Sequence, residues 1–195
     1  MPRLAPAEPH GLDPIRRLTF GTARRMYGRE LEPTRVIAHH RPLLAGLGAL
    51  SLADERFSHS VPDHLKHLAR LRAAQVIGCS WCLDFGSYLA QRAGASETQL
   101  RELATWRDSP HFDAVERLVL EYTEAMTRTP VEVSDELFAR LRERFDERQI
   151  VELTMTVALE NLYSRFSWSL GIEGEGFSEG MYCVRPEGDR EATLA

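Results

Sequence analysis

The stretch HLARLRAAQVIGCSWCLDFG, residues 67–86, decides how this chain is read. Ahead of and within its first half, Leu65, Leu68, Leu71 and then Ala74 or Gln75 recur at helical spacing, and the run stops at Gly78. Its second half opens at Cys79 and continues as a helical pattern from Leu83 to Ala93. Two helices joined by almost no linker are predicted to run antiparallel. The corner holds Cys79-Ser80-Trp81-Cys82, two thiols close enough to form a disulfide within one helical turn. A helix start leaves backbone N–H groups unpaired, and the macrodipole there favours an anion. Such surroundings can lower a thiol pKa from about 8.5 to between about 3.5 and 7.5. The spacing therefore predicts a redox-active dithiol whose sulfurs face solvent or a cleft.

Working outward, the pattern is helical nearly throughout, and no segment shows the period-two alternation of a sheet. Residues 1–12 hold three prolines and read as a loose N-terminal arm. Asp13-Pro14 reads as a cap followed by proline in the first turn, starting a helix to about Tyr27. A short helix or turn is expected from Pro33 to His39 and an apolar helix from Pro42 to Leu52. Ser60-Val61-Pro62-Asp63 starts the helix that ends at Gly78, and the cysteine helix ends by Gly94. Ser96 to Gln99 is a capping box. Helices follow over Asp113–Thr127, from a Ser134 cap to Phe145, and from Asp146 to about Leu170. The last is apolar over most of its circumference, as a helix buried in a core or between subunits would be. These elements predict one all-α domain over residues 13–172 and an irregular C-terminal extension over 173–195.

Composition narrows the function classes. The chain has 195 residues, 43% of them hydrophobic, enough for a packed core without staples. Three cysteines do not make a disulfide framework. The N-terminus lacks the apolar core of a signal peptide, and the longest apolar stretch, Leu43 to Ala53, is too short to span a bilayer. A cytoplasmic protein with reduced thiols is expected. The net charge of −5 argues against a nucleic-acid partner. Lys66 is the sole lysine; the arginines are interleaved with acids, as on solvated faces, and read as the codon usage of a GC-rich bacterial genome.

The segment from His67 to Gly86 resembles the core of the alkyl hydroperoxidase D (AhpD) and carboxymuconolactone decarboxylase family. The redox members of that family carry Glu, eleven residues, Cys, two residues, Cys, three residues, His. Both cysteines match, and the Leu-Arg-Ala-Ala run before them is similar. A fainter likeness lies in Glu152-Leu-Thr through Asn161 and from Arg165 to Ile172. The resemblance implies an AhpD-like helical bundle and a homo-oligomer, a trimer or hexamer or else a dimer. It implies a thiol-dependent peroxidase acting on a small hydroperoxide and reset by an external dithiol or reductase protein. By likeness, Cys82 attacks and Cys79 resolves the sulfenic acid; no organic cofactor or metal is implied. Two departures stand out: His67 occupies the family's Glu position and Gly86 its His position. His67 can replace the Glu as proton carrier, with Asp84, His39 or His40 as the second group. The candidate catalytic set is thus Cys79, Cys82, His67 and Asp84. A decarboxylase acting on a small acidic lactone and a non-catalytic redox-sensing oligomer are the alternatives.

Each feature also has a plainer reading. Cys79 and Cys82 are alternatively buried structural thiols, or half of a zinc site that lacks its other ligands. His64 and His67, three apart on a helix, are more simply a polar face than a metal pair, and Cys183 is more simply an incidental thiol. Trp81 covers the dithiol or fills the core. Glu160 and Asn161 either line a pocket or pair across an interface, since buried polar groups need partners. The glycine-rich Gly171–Gly180 follows a helix and carries three glutamates, so it reads as a loop and not a phosphate cradle.

Overall fold

The computed structural model describes residues 2–7 and 13–188, and all regular structure among them is helical. Residues 1 and 8–12 of the expected arm, and 189–195 of the expected extension, lie outside the described residues. The chain divides into two compact units, residues 1–58 with 170–172, and residues 59–169 with 173–195.

The first unit holds α1 (Pro14–Tyr27), α2 (Glu32–Ile37) and α3 (Arg41–Phe57). Asp13 caps α1 by accepting from the Ile15 and Arg16 amides, and Gly28 ends it at φ 80°. Helix α3 outruns the predicted Leu52 by five residues, because nothing breaks the pattern before the extended Ser58. Ala7, Phe20, Ala38 and Leu44 form a small core. The residues expected to be a loose arm are in part tied down here. Arg3 N–H donates to Leu170 O at 2.7 Å and Ala7 N–H to Arg35 O at 3.1 Å.

The second unit is built around α4 (Asp63–Ile77), on which α5 (Ser80–Arg92), α7 (Ala114–Thr127) and α9 (Glu147–Ser169) all pack. Two shorter helices, α6 (Glu97–Glu102) and α8 (Asp135–Arg142), complete it. Buried on α4 are Leu65, Leu68, Ala69, Leu71, Ala73 and Ala74. They lie right round the helix, as in a central core element. Leu118, Tyr122, Leu141, Leu153 and Val157 pack around its Leu65 and Ala69. Fully burying one such leucine contributes about 1.5–3 kcal/mol relative to leaving it exposed.

The charges on α4 are buried with their partners. Lys66 Nζ lies 3.3 Å from Glu152 Oε1, and Glu152 also accepts from the Ser60 amide and hydroxyl and the Val61 amide. Arg72 donates to Glu124, Gln75 and Glu187. The segment 173–188 is irregular, as expected, yet closely bonded to the second unit. Val184 N–H donates to Ser87 Oγ, Gln91 Nε2 to Tyr182 O, and Glu187 N–H to Gln75 O, at 2.9, 3.0 and 3.0 Å.

Candidate active site

The corner forms because Gly78 adopts φ 84°, a left-handed conformation that glycine takes without strain, and ends α4. Cys79 then leaves the helical region and caps α5. Its Sγ accepts from the Cys82 amide at 3.3 Å, the place where a serine or aspartate oxygen would ordinarily sit. The two sulfurs are 2.8 Å apart and not joined by a disulfide. A Cβ at Gly78 would meet the Trp168 indole nitrogen and Pro186, each at 3.9 Å, so these two side chains flank the corner.

The thiols are not equivalent. The hydrogen bond from the Cys82 side chain lowers the Cys79 pKa; burial opposes this, and the Cys82 amide adds to it. Burial pushes Cys82 well above an ordinary thiol, and its bond to Cys79 and the charge of Glu160 push it the same way. Ionisation of the pair is therefore favoured at Cys79 over Cys82. Ser164 of α9, through its hydroxyl, is a lesser influence that favours ionisation of each. Its hydroxyl donates to Glu160 Oε1 at 2.7 Å, so one helical turn of α9 supplies two polar groups to the dithiol. The expected opening to solvent is not found: Cys79 is 0% and Cys82 5% exposed.

The proposed proton carriers fare differently. Asp84 Oδ2 accepts from the Glu175 and Phe177 amides, at 2.8 and 3.0 Å. Its Oδ1 accepts from the Ser178 amide and hydroxyl, at 2.8 and 2.6 Å. Burial pushes the carboxyl upward, but these four bonds outweigh it and hold the pKa below the usual carboxylate range. Asp84 is thus an ionised loop anchor, and Gly174 lets the loop approach: a Cβ there would lie 3.1 Å from the Asp84 Cβ. His67 is half-buried on α4. His39 and His40 belong to the first unit, where one ring contacts Ala5 O and the other caps α3. Gly86 is a packing position: a Cβ there would lie 3.1 Å from Leu71 Cδ1. This approach of residues flanking the corner symmetrically also shows that α4 and α5 run antiparallel.

Trp81 joins an aromatic cluster with Phe85 and Phe177, their centroids 5.0 and 6.4 Å from its own, and its indole N–H donates to Glu175 Oε2 at 2.7 Å. Asn161 faces α7, donating to Thr127 Oγ1. Cys183 lines a shallow surface depression of about 480 Å³ with Arg101, Tyr182 and Arg185. No group of three or more His, Cys, Asp or Glu among the described residues could hold a metal ion.

The sequence profile of the carboxymuconolactone decarboxylase family matches residues 44–125, which contain the corner and both thiols. The uncharacterised protein YnjA of Escherichia coli K12 is 37% identical over 155 residues, covering 78% of this chain and 84% of that protein. The chain belongs to the carboxymuconolactone decarboxylase family. Its fold is AhpD-like. A candidate AhpD antioxidant defence protein of Agrobacterium tumefaciens shares it at a TM-score of 0.66 and 24% identity, covering 71% of this chain and 94% of that one. The debrominase Bmp8 shares it at 0.78 and 18% identity, covering 89% and 93%. A cysteine-to-alanine variant of that debrominase has been solved in complex with 2,3,4-tribromopyrrole. These identities establish the shared fold alone. The carboxymuconolactone decarboxylase family member described here thus supplies a dithiol at a helix start, and α9, which the family profile does not reach, supplies Glu160 and Ser164.

Proposed function

We propose that this chain is a dithiol oxidoreductase that reduces a small hydroperoxide. The observation that carries the reading is the Cys79 sulfur in the capping position of α5, receiving the Cys82 amide and lying 2.8 Å from the Cys82 sulfur. The Cys79 thiolate attacks the terminal peroxide oxygen. The O–O bond breaks, the departing alkoxide takes a proton, and Cys79 becomes a sulfenic acid. The Cys82 sulfur then attacks the Cys79 sulfur, the S–O bond breaks, and the thiol proton leaves with the hydroxide as water. An external dithiol or reductase protein gives two electrons and two protons to restore the pair. The attacking role goes to Cys79, reversing the order implied by family likeness, because the Cys82 thiol, and then its amide, favour the Cys79 thiolate while burial disfavours that of Cys82.

Burial of both sulfurs means that the peroxide enters when the corner opens, which favours small substrates over bulky ones. A reducing, cytoplasmic setting suits this chemistry. Exposed apolar residues on α3 (Leu43, Phe57) and on α9 (Val151, Met155, Leu162) suit a homo-oligomer, a trimer, hexamer or dimer.

The Trp81–Phe85–Phe177 cluster beside the dithiol favours a second reading: two-electron removal of bromine from a small bromoaromatic, as the debrominase neighbour's name describes. There the thiolate would take bromine, the carbanion a proton, and the second thiol would displace bromide to leave the same disulfide. Turnover with dithiothreitol decides. Hydroperoxide consumption by wild type that is lost in Cys79→Ser and Cys82→Ser is the expected result. Bromide release without peroxide consumption would favour the second reading, and reversible disulfide formation without turnover of either would reduce the protein to a sensor.

A further inference from the structure

We propose that residues 185–187 form the gate through which substrate reaches the buried dithiol, and that Glu187 sets how readily the gate opens. The inference deepens the dithiol reading above: it names the segment that moves, and so the element that selects substrates by size. The observations are geometric. Gln75 of α4, one turn before Cys79, is held on both sides of Pro186. Its Nε2 donates to Arg185 O and its carbonyl accepts from the Glu187 amide, both at 3.0 Å. The Pro186 Cβ lies 3.9 Å from where a Cβ at Gly78 would stand, next to the residue that caps α5. The strap therefore crosses the end of α4 at the corner, where Cys79 is 0% exposed.

Three segments flank the corner, and they are held unequally. Helix α9, which carries Trp168, contributes Ile150, Leu153 and Val157 to the core. The loop beside Trp81 is fixed by four hydrogen bonds to Asp84 and by the ring contacts of Phe177. The strap has its two bonds to Gln75 and one carboxylate. Glu187 Oε1 lies 3.1 Å from Nη2 of Arg72 and 3.1 Å from Nη2 of Arg128. The Arg72 side chain is sealed, but that of Arg128 is 52% exposed and that of Glu187 35%. An ion pair that open is weak and screened by salt. The Pro186 ring fixes its own φ, so the strap pivots as a unit and does not fray. Releasing Glu187 therefore frees residues 185–187 together and uncovers the corner, while the helices that hold the sulfurs stay packed.

Thiol modification of the reduced Cys183→Ser protein tests this, with iodoacetamide as the small reagent and fluorescein maleimide as the bulky one. Arg128→Gln, which removes the open half of the clamp, should speed the bulky reagent about two- to fivefold. Glu187→Gln, which weakens both halves, should speed it at least about tenfold. Iodoacetamide should gain less in each, because a gate admits small molecules more often than large ones. A change in thiolate population alone would speed both reagents equally. Ser134→Ala weakens a distant cap, that of α8, and reports access through unfolding of the whole chain. It should leave both rates near those of the parent. No gain in Glu187→Gln, an equal gain with the two reagents, or as large a gain in Ser134→Ala would overturn the proposal. Turnover of hydrogen peroxide and cumene hydroperoxide carries the test to catalysis: Glu187→Gln should shift the preference toward the bulkier peroxide. A protein with the predicted thiol access that consumes neither peroxide would keep the gate and lose the peroxidase reading. One that consumes them, with thiol access indifferent to Glu187, would keep the reading and lose the gate.

Discussion

At the scale of single residues, Cys79 does the work of a helix cap and of a nucleophile with one atom. The Cys82 amide that satisfies the helix start also favours the thiolate, adding to the larger effect of the Cys82 thiol. Asp84, two residues beyond the pair, accepts four hydrogen bonds from one loop. Asp84→Asn should lower unfolding stability by about 1–3 kcal/mol, because buried donors lose a charged acceptor. Chemical denaturation measures this, and faster amide exchange at residues 175–178 localises it. Gly86 offers a sharper test of packing. Restoring the family histidine as Gly86→His should cost about 1–3 kcal/mol by overpacking Leu71. Leu71→Ala in the same chain should recover part of that loss, a coupling that a double-mutant cycle reads directly. The thiol pair was legible in the sequence from its spacing alone. Which sulfur ionises more readily was not, since that depends on burial and on the bond between the two thiols, which only folding sets.

At the scale of elements, the caps made most boundaries readable. Asp13, Ser96 and Ser134 start α1, α6 and α8 where their side chains predict, and glycines at positive φ end α1 and α4. Asp113 and Glu116 form a capping box on α7 by the same rule. What the pattern could not show was that α4 is buried with its charges. Lys66 and Arg72 look like a solvated face in sequence, yet each is sealed against a carboxylate from another helix. Arg72 ties α4 to Glu124 of α7 and to Glu187 of the C-terminal segment. Arg72→Ala should therefore destabilise by about 3–5 kcal/mol, since it leaves Glu124 buried with fewer partners. Thermal or denaturant unfolding checks this, and a loss below about 1 kcal/mol would mean that the pair is solvated in solution.

At the scale of the whole molecule, three buried carboxylates set the response to acid. Burial raises the pKa of Asp84, Glu124 and Glu152, but hydrogen bonds and neighbouring cations outweigh it in each, and all three lie below their ordinary values. A carboxylate with a lowered folded pKa stabilises the fold above its unfolded pKa and loses that contribution as pH falls through the folded one. The unfolding midpoint should therefore vary little with these groups from neutral pH down to about 5 and fall steeply below about 4. A midpoint that rose on acidification through that window would contradict the assignment. The all-α architecture was legible because every element announces its own start or stop. The tethering of residues 2–7 and 173–188 was not, since it rests on backbone bonds to distant residues that no local pattern encodes.

The central claim is that the capping sulfur, and not its partner, carries the charge. Thiolate ultraviolet absorbance titrated against pH in a Cys183→Ser background, with and without Cys79→Ser or Cys82→Ser, tests it most directly. The account predicts one thiol titrating below the ordinary value of about 8.5 that disappears in Cys79→Ser and survives in Cys82→Ser. Two thiols titrating at or above that value, or a low one that outlasts the loss of Cys79, would contradict it.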